Sequence, residues 1–188
     1  MRIGIIADSH DHVWNLRAAL AGLATTDALI CCGDLCSPFI IGILAEEYTA
    51  GPIQIVFGNN DGDLFRITQN AARFPQVTLH GELFTGEFAG RKVLVNHYPA
   101  IARQALSGDY DLICYGHDHQ YASEQHGRTL LLNPGTLHGY EPSSRRDGPV
   151  TFAIYDTESG QAAFFAVLQE DGERVIRPFP VAASVGER

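Results

Sequence analysis

No apolar run in this chain approaches the ~20 residues that a membrane-spanning helix requires. Residues 1–7 are too short for the ~7–15-residue apolar core of a secretory leader, and they run straight into Asp8-Ser9-His10. They read as a first strand, and a cytoplasmic protein with no membrane partner is expected. Cysteine is scarce: Cys31, Cys32, Cys36 and Cys114 are the four present. The spacing Cys32-x-x-x-Cys36 has no second pair to complete a thiolate zinc site, and a reducing compartment argues against disulfides. Buried or partly buried thiols are expected instead. Basic residues are also few, 13 against 22 acidic ones, for a formal charge of −9. Tight binding to long nucleic acid needs clustered Lys and Arg, so that class is disfavoured. Small phosphate esters are not excluded, because bound divalent cations reverse the local sign.

The 188 residues, 45% of them hydrophobic, suit one domain with a full core. A single domain over 1–188 is expected, with 180–188 as a flexible tail. The first half alternates β-type runs at 2–7, 28–32 and 52–57 with helical patterns at 14–23, 38–48 and 63–72. After Pro75 the pattern changes. A short strand at 77–79 precedes hairpins at 83–88 with 92–96, 121–125 with 128–132, and 150–155 with 162–168. A helix at 100–106 and a buried strand at 111–115 lie between the first two. Residues 139–148 read as a surface loop, 174–179 as an edge strand and 182–188 as a fraying end. The sequence is thus α/β early and mostly antiparallel later (α+β). The simplest architecture is a pair of facing sheets with helices outside.

Polar residues follow the strands each time. Asp8 and His10 close the first run, Asp34 the second and Asn59 the third. His97 closes the hairpin arm, and Gly116-His117-Asp118-His119 ends the buried strand. In open α/β sheets ligands bind at such carboxyl ends. Histidines at i and i+2 in extended backbone share a side, so His117 and His119 are expected to face one space. Singly, each residue has an ordinary reading. Asp8 could cap a helix, Asp34 and Asn59 could be turn residues, and His97 could be a core or surface histidine. Together they supply four imidazoles, two carboxylates and a carboxamide, with no thiolate. That N/O set suits manganese, iron or zinc. Seven groups exceed one tetrahedral zinc and fit two ions of higher coordination.

In this order the motifs resemble those of the calcineurin-like metallophosphoesterases. Asp8-Ser9-His10, Gly33-Asp34, Gly58-Asn59-Asn60-Asp61, His97 and Gly116-His117-Asp118-His119 match the family pattern in sequence. Length and the turn Asn133-Pro134-Gly135-Thr136 look like the small bacterial and archaeal phosphodiesterase branch. The resemblance implies a four-layer α-β-β-α sandwich with two facing mixed β-sheets. It implies a first metal on Asp8, His10 and His119, a second on Asn59, His97 and His117, and Asp34 bridging both. The implied cofactors are two divalent ions, manganese first, with iron, zinc or nickel as alternatives. The implied reaction is hydrolysis of a phosphodiester, or of a phosphomonoester, by a metal-bridging hydroxide.

One position departs from the pattern. Many members carry His after Gly-Asn, where this chain has Asn60. A carboxamide can donate a hydrogen bond to phosphate but cannot transfer a proton, so substrates with acidic leaving groups are expected. Asp34 and Asn60 are the catalytic candidates. Asp61 reads as orienting the turn, and Asp118 as an acceptor behind the ligands. His12 and His138 read as surface residues, with His138 the better placed to reach substrate. His80 and His126 read as exposed turn residues, Trp14 as packing, and Arg17 and Arg66 as solvated helix faces. The rival reading is a non-catalytic interaction module, since the same fold serves a subunit of the retromer coat. A homo-oligomer is compatible with the sequence, but no segment marks an interface.

Overall fold

A computed structural model describes residues 1–181 and 184–185. The chain opens as β1 (Arg2–Ile6), α1 (Val13–Gly22), β2 (Ala28–Cys31), α2 (Ile40–Glu47), β3 (Ile53–Ile55), α3 (Leu64–Ala71) and β4 (Val77–Leu79). It continues as β5 (Leu83–Phe88), β6 (Arg91–Asn96), α4 (Pro99–Gln104), β7 (Leu112–Cys114), β8 (Ala122–His126) and β9 (Thr129–Asn133). A small ribbon, β10 (Tyr140–Glu141) and β11 (Arg146–Asp147), precedes β12 (Thr151–Asp156), β13 (Gln161–Glu170), β14 (Glu173–Phe179) and β15 (Ser184–Val185). One sheet runs β14-β13-β12-β1-β2-β3-β4 and the other β15-β8-β9-β7-β6-β5. Both are mixed, with parallel centres around β1-β2-β3 and β6-β7-β9.

Strand alternation sorts the apolar residues into layers. From β1 and β2, Ile3, Ile5, Ala28 and Ile30 point between the sheets, where they meet Val93, Val95, Leu112, Leu130 and Leu132. Ile6, Leu29 and Cys31 point the other way, onto Leu16, Leu20 and Leu44 of α1 and α2. Leu94, Ile113 and Leu131 leave the outer face of the second sheet to cover Ala102 of α4. The result is the four-layer α-β-β-α sandwich. Local chemistry sets the helix starts: His12 Nδ1 accepts from Asn15 N (3.3 Å), Asp63 Oδ1 accepts from Arg66 N (3.2 Å), and Pro99 opens α4.

Several local expectations change. Residues 139–148 are not an irregular loop but hold the β10-β11 ribbon, pairing Tyr140 with Asp147 and Glu141 with Arg146. Within the expected fraying end, Ser184 and Val185 pair in parallel with Glu124 and Gln125; residues 182–183 and 186–188 lie outside the described residues. Trp14 is 61% exposed, because α1 buries its Asn15, Leu16, Ala19 and Leu20 face. Its indole lies under the Arg17 guanidinium, 5.8 Å from ring centroid to Cζ. His80 and His126 are half-buried rather than exposed. His80 Nε2 meets Gln54 Oε1 at 2.6 Å, and His126 Nε2 meets Glu124 Oε2 at 3.2 Å. All four cysteines are free; three are buried and Cys36 is half-buried. Among the described residues no helix is long and apolar enough to cross a membrane.

Candidate metal centre

The loops leaving β1, β2, β3, β6 and β7 meet at one edge of the sandwich. Backbone hydrogen bonds lace them together: Asp8 N to Gly33 O (3.0 Å), His10 N to Asp34 O (3.1 Å) and Gly116 N to His97 O (3.0 Å). Asp8, His10, Asp34, His117 and His119 all have left-handed backbone, with φ between 40° and 78°. Non-glycine residues seldom adopt it, and such strain clusters where geometry serves a site. The extended backbone expected at His117 and His119 is therefore corrected, although both side chains line one cavity as expected. At φ of 78° and 61° each turns separately, His117 toward Asn59 and His119 toward Asp8. Glycine makes room for the loops: a Cβ on Gly58 would lie 2.2 Å from Asp34 Oδ1, and one on Gly116 2.6 Å from Asp8 Oδ2.

Asp8, His10 and His119 form one cluster. His10 Nε2 lies 3.1 Å from His119 Nε2 and 3.7 Å from Asp8 Oδ1, and His119 Nε2 lies 3.4 Å from the same oxygen. Ligand atoms about 2.1 Å from a shared ion stand roughly 3.0–3.5 Å apart, so the three atoms are spaced as around one cation. Asp8 Oδ1 is buried and accepts no hydrogen bond. A buried carboxylate oxygen without a partner is costly unless something fills the gap. The histidines are already oriented: His119 Nδ1 donates to the Tyr140 carbonyl, and His10 Nδ1 faces Cys36 Sγ at 3.4 Å. Ring nitrogens held this way leave Nε2 free.

The second cluster joins Asp34, His97, Asn59 and His117. Asp34 Oδ2 lies 3.4 Å from His97 Nε2 and 3.5 Å from His10 Nε2, so one oxygen touches both clusters. Asn59 Oδ1 lies 3.2 Å from His97 Nε2 and 2.8 Å from His117 Nδ1. His97 Nδ1 donates to Cys32 O at 2.7 Å. Asn60 donates to Asp34 twice, from its backbone N to Oδ1 and from Nδ2 to Oδ2, both at 2.8 Å. Asp61 ties the turn as expected, accepting from Asp34 N (3.0 Å), Cys36 N (2.8 Å) and Gly58 N (2.7 Å). Asp118 turns back to accept from Asn133 Nδ2 at 2.7 Å.

Burial raises the pKa of Asp8 and Asp34, yet neighbouring histidines, with the Asn60 donors at Asp34, hold both carboxyls below 3.8. Conversely, burial depresses His97 and His119, while Asp34 and Asp8 hold these imidazoles above 6.5. Among the described residues no lysine or arginine pairs with Asp8 or Asp34. The donor set, its spacing and the open oxygen fit divalent cations.

A cavity of about 530 Å³ opens over this cluster, with His10, Asp34, Asn60, His117, His138 and Tyr140 in its wall. Arg17 and Arg66 stay outside, on Glu47 (2.7 Å) and Asp63 (3.4 Å), as the helix-face reading expects. The surface reading of His138 is corrected: it is half-buried in the wall, 5.3 Å from His10 between ring centroids. Burial first, then His10, His119 and His12, push its imidazole below 6.5. Cys36 and Tyr140 also went unread. Cys36 reaches His10 through its own left-handed φ of 74°, which no residue type announces.

Comparison with known proteins agrees with this architecture. The profile of the calcineurin-like phosphoesterase superfamily domain matches residues 1–160. A phosphodiesterase of Methanocaldococcus jannaschii is 31% identical over 163 residues, 84% of this chain and 94% of its own. The solved structure of an archaeal phosphodiesterase superposes with a TM-score of 0.79 at 29% identity, covering 89% of this chain and 100% of that one. Vacuolar protein sorting 29 from Cryptosporidium parvum shares the fold, with a TM-score of 0.65 at 20% identity over 95% of this chain and 96% of its own.

Proposed function

This chain belongs to the calcineurin-like phosphoesterase superfamily, and from that premise we propose that it is a phosphodiesterase working with two divalent cations. Asp8, His10 and His119 would hold one ion, Asn59, His97 and His117 the other, and Asp34 would be shared. The observation that carries the reading is Asp34 Oδ2, placed 3.5 Å from His10 Nε2 and 3.4 Å from His97 Nε2. When bound, such a pair of cations acidifies water and neutralises charge on the phosphoryl oxygens. Manganese is the first choice for N/O ligands of this kind.

The chain's own residues do the rest. Left-handed loops fix the ligands, and the Cys32 and Tyr140 carbonyls hold the His97 and His119 tautomers. Asn60 sits on Asp34, where its amide orients the shared carboxylate and borders the cavity. No side chain at that position can give up a proton to a departing alkoxide, so aryl diesters are the favoured substrates. The complete donor set supports catalysis over a binding module on this fold, and turnover rather than metal content alone separates the two. The test is metal analysis of the purified protein with turnover of bis(p-nitrophenyl) phosphate in manganese. Close to two ions per chain and turnover abolished by chelator are expected. Neither bound metal nor turnover would leave the interaction module standing.

A further inference from the structure

Four histidine rings line the cavity, and three of them, His10, His117 and His119, belong to the ligand set. We infer that the fourth, His138, is a substrate-binding residue that donates a hydrogen bond from Nε2 to a non-bridging phosphoryl oxygen. The inference rests on the phosphoesterase reading and adds a contact that the motifs do not contain. His138 is anchored by the chain that carries it. Its backbone N donates to Asp8 O (3.0 Å) and to Thr136 Oγ1 (2.9 Å), while Thr136 Oγ1 itself donates to Asp8 O at 2.9 Å. Just before it, Leu137 N donates to Ala7 O (3.2 Å) and Leu137 O accepts from Asn15 Nδ2 (2.9 Å). The residue therefore sits in register with Asp8 rather than on a loose loop.

The ring has one side closed and one side open. Nδ1 is buried and has no hydrogen-bond partner. A neutral imidazole carries one N–H, and an unpaired buried N–H is worse tolerated than an unpaired lone pair. The hydrogen therefore belongs on Nε2, at the edge of the ring that borders the cavity. Two amide donors in the wall are committed to protein acceptors: Asn60 Nδ2 to Asp34 Oδ2 at 2.8 Å, and Gln120 Nε2 to Ser143 Oγ at 3.4 Å. His138 lines the same wall, and its Nε2 is hydrogen-bonded to no protein acceptor among the described residues. Lying 5.3 Å from His10 and 6.4 Å from His119 between ring centroids, it stands beside the first cluster. A phosphoryl group in the cavity over the cations would thus come within reach of His138.

The experiment uses the full chain loaded with manganese, and compares wild type with His138→Ala, His138→Gln and His138→Phe. Gln extends an N–H donor to about the place of Nε2; Phe keeps the ring without it. Bound metal, KM and kcat for bis(p-nitrophenyl) phosphate, and calorimetric affinity for orthophosphate are measured on each. The expected result is unchanged metal content in all, with KM and the orthophosphate Kd raised about tenfold in Ala and Phe. His138→Gln should restore both to within about threefold, a rescue that a packing role would not give. Long-range ¹⁵N spectra of the metal-free wild type should show the Nε2–H tautomer; Nδ1–H would overturn the inference. KM and orthophosphate affinity unchanged in both Ala and Phe, with an active wild type, would overturn it while leaving the phosphoesterase reading intact. A wild type without metal or turnover would remove both.

Discussion

Two buried aspartates lie near opposite ends of β7, Asp111 on the strand's own lead-in and Asp8 on the loop after β1, and they are treated differently. Asp111, just before the strand, is 4% exposed and fully answered. Oδ1 accepts from Arg128 Nη2 (2.8 Å) and Nε (3.2 Å), and Oδ2 from Lys92 N (2.9 Å), with Arg91 Nη1 at 3.5 Å. Asp8 is wholly buried beyond the other end, where Oδ2 accepts from His117 N at 3.0 Å and Oδ1 from nothing. Its neighbours are imidazoles, which lose their charge near neutral pH, rather than guanidinium groups that never do. A buried charge is tolerable only when matched. Asp111 is matched by the chain; Asp8 and Asp34 are left for something the chain does not carry. In the proposed reading, the difference separates an acid that holds the fold from acids that would hold a metal ion.

The sharpest way to break this division is to swap each acid for its amide. Asp34→Asn keeps the shape and one of the two Asn60 contacts but removes the charge shared by both clusters. Turnover should fall about 10³-fold, at the upper end for loss of one preorganised electrostatic group. Bound metal should drop from about two ions per chain to one or fewer. Near wild-type metal content in this variant would disprove the shared role of Asp34. Thermal stability without metal should fall, because against burial the folded state holds this carboxyl below its ordinary value through His97 and the Asn60 donors, and the amide loses that stabilisation.

Much of this was legible before any coordinates. The ligands fall within four residues of apolar runs, so strand ends and polar motifs could be read together. The order of apolar runs, helical patterns and later hairpins likewise implied facing sheets with helices outside. Backbone conformations past the strand ends were not legible. His117 and His119 do face one cavity, but from left-handed rather than extended backbone, so alternation led to the right space by the wrong conformation. Asp and His adopt that conformation more readily than most residues, but their presence after a strand does not fix which of them will. His138 was hidden for a related reason: its place depends on long-range bonds to Asp8 and Ala7, more than a hundred residues away. The β10-β11 ribbon is two short polar strands, below the length at which periodicity carries a signal.

Smaller effects sharpen the same contrast at the ligand end. Asn60→His should add the proton donor that the wild type lacks. General acid catalysis is typically worth ~10²–10⁴-fold, so alkyl diesters should gain about 10²-fold and aryl diesters about threefold or less. Equal gains across leaving groups of graded pKa would refute the role given to Asn60. Cys36→Ala removes the sulfur that faces His10 Nδ1 at 3.4 Å. Burial and nearby aspartates push this thiol up to about 12, so it stays neutral and is a weak partner for the ring. Metal affinity, read by chelator competition, should therefore fall about tenfold, the low end for losing a partner of a ligating histidine. No change would mean that His10 is oriented by packing alone.

At the structural end, Asp111→Asn should leave turnover at room temperature untouched and weaken the fold instead. Burial alone would raise the Asp111 carboxyl, but the Arg128 side chain and the Lys92 N–H hold it below 3.8. The folded protein therefore binds fewer protons at this group than the unfolded chain does, and stability rises with pH across the gap. The stabilisation is complete above about pH 5 and disappears as pH falls through the folded pKa. Hydrogen bonds to a charged group contribute about 1.5–3 kcal/mol, so the amide should lower unfolding free energy by about 2 kcal/mol at neutral pH. Measured by urea titration, that deficit should shrink steadily below pH 4 and nearly vanish where wild-type Asp111 is itself protonated. A deficit that stays constant with pH would trace the loss to shape rather than charge. A loss of turnover with stability intact would put Asp111 on the ligand side of the molecule and undo the contrast between its two ends.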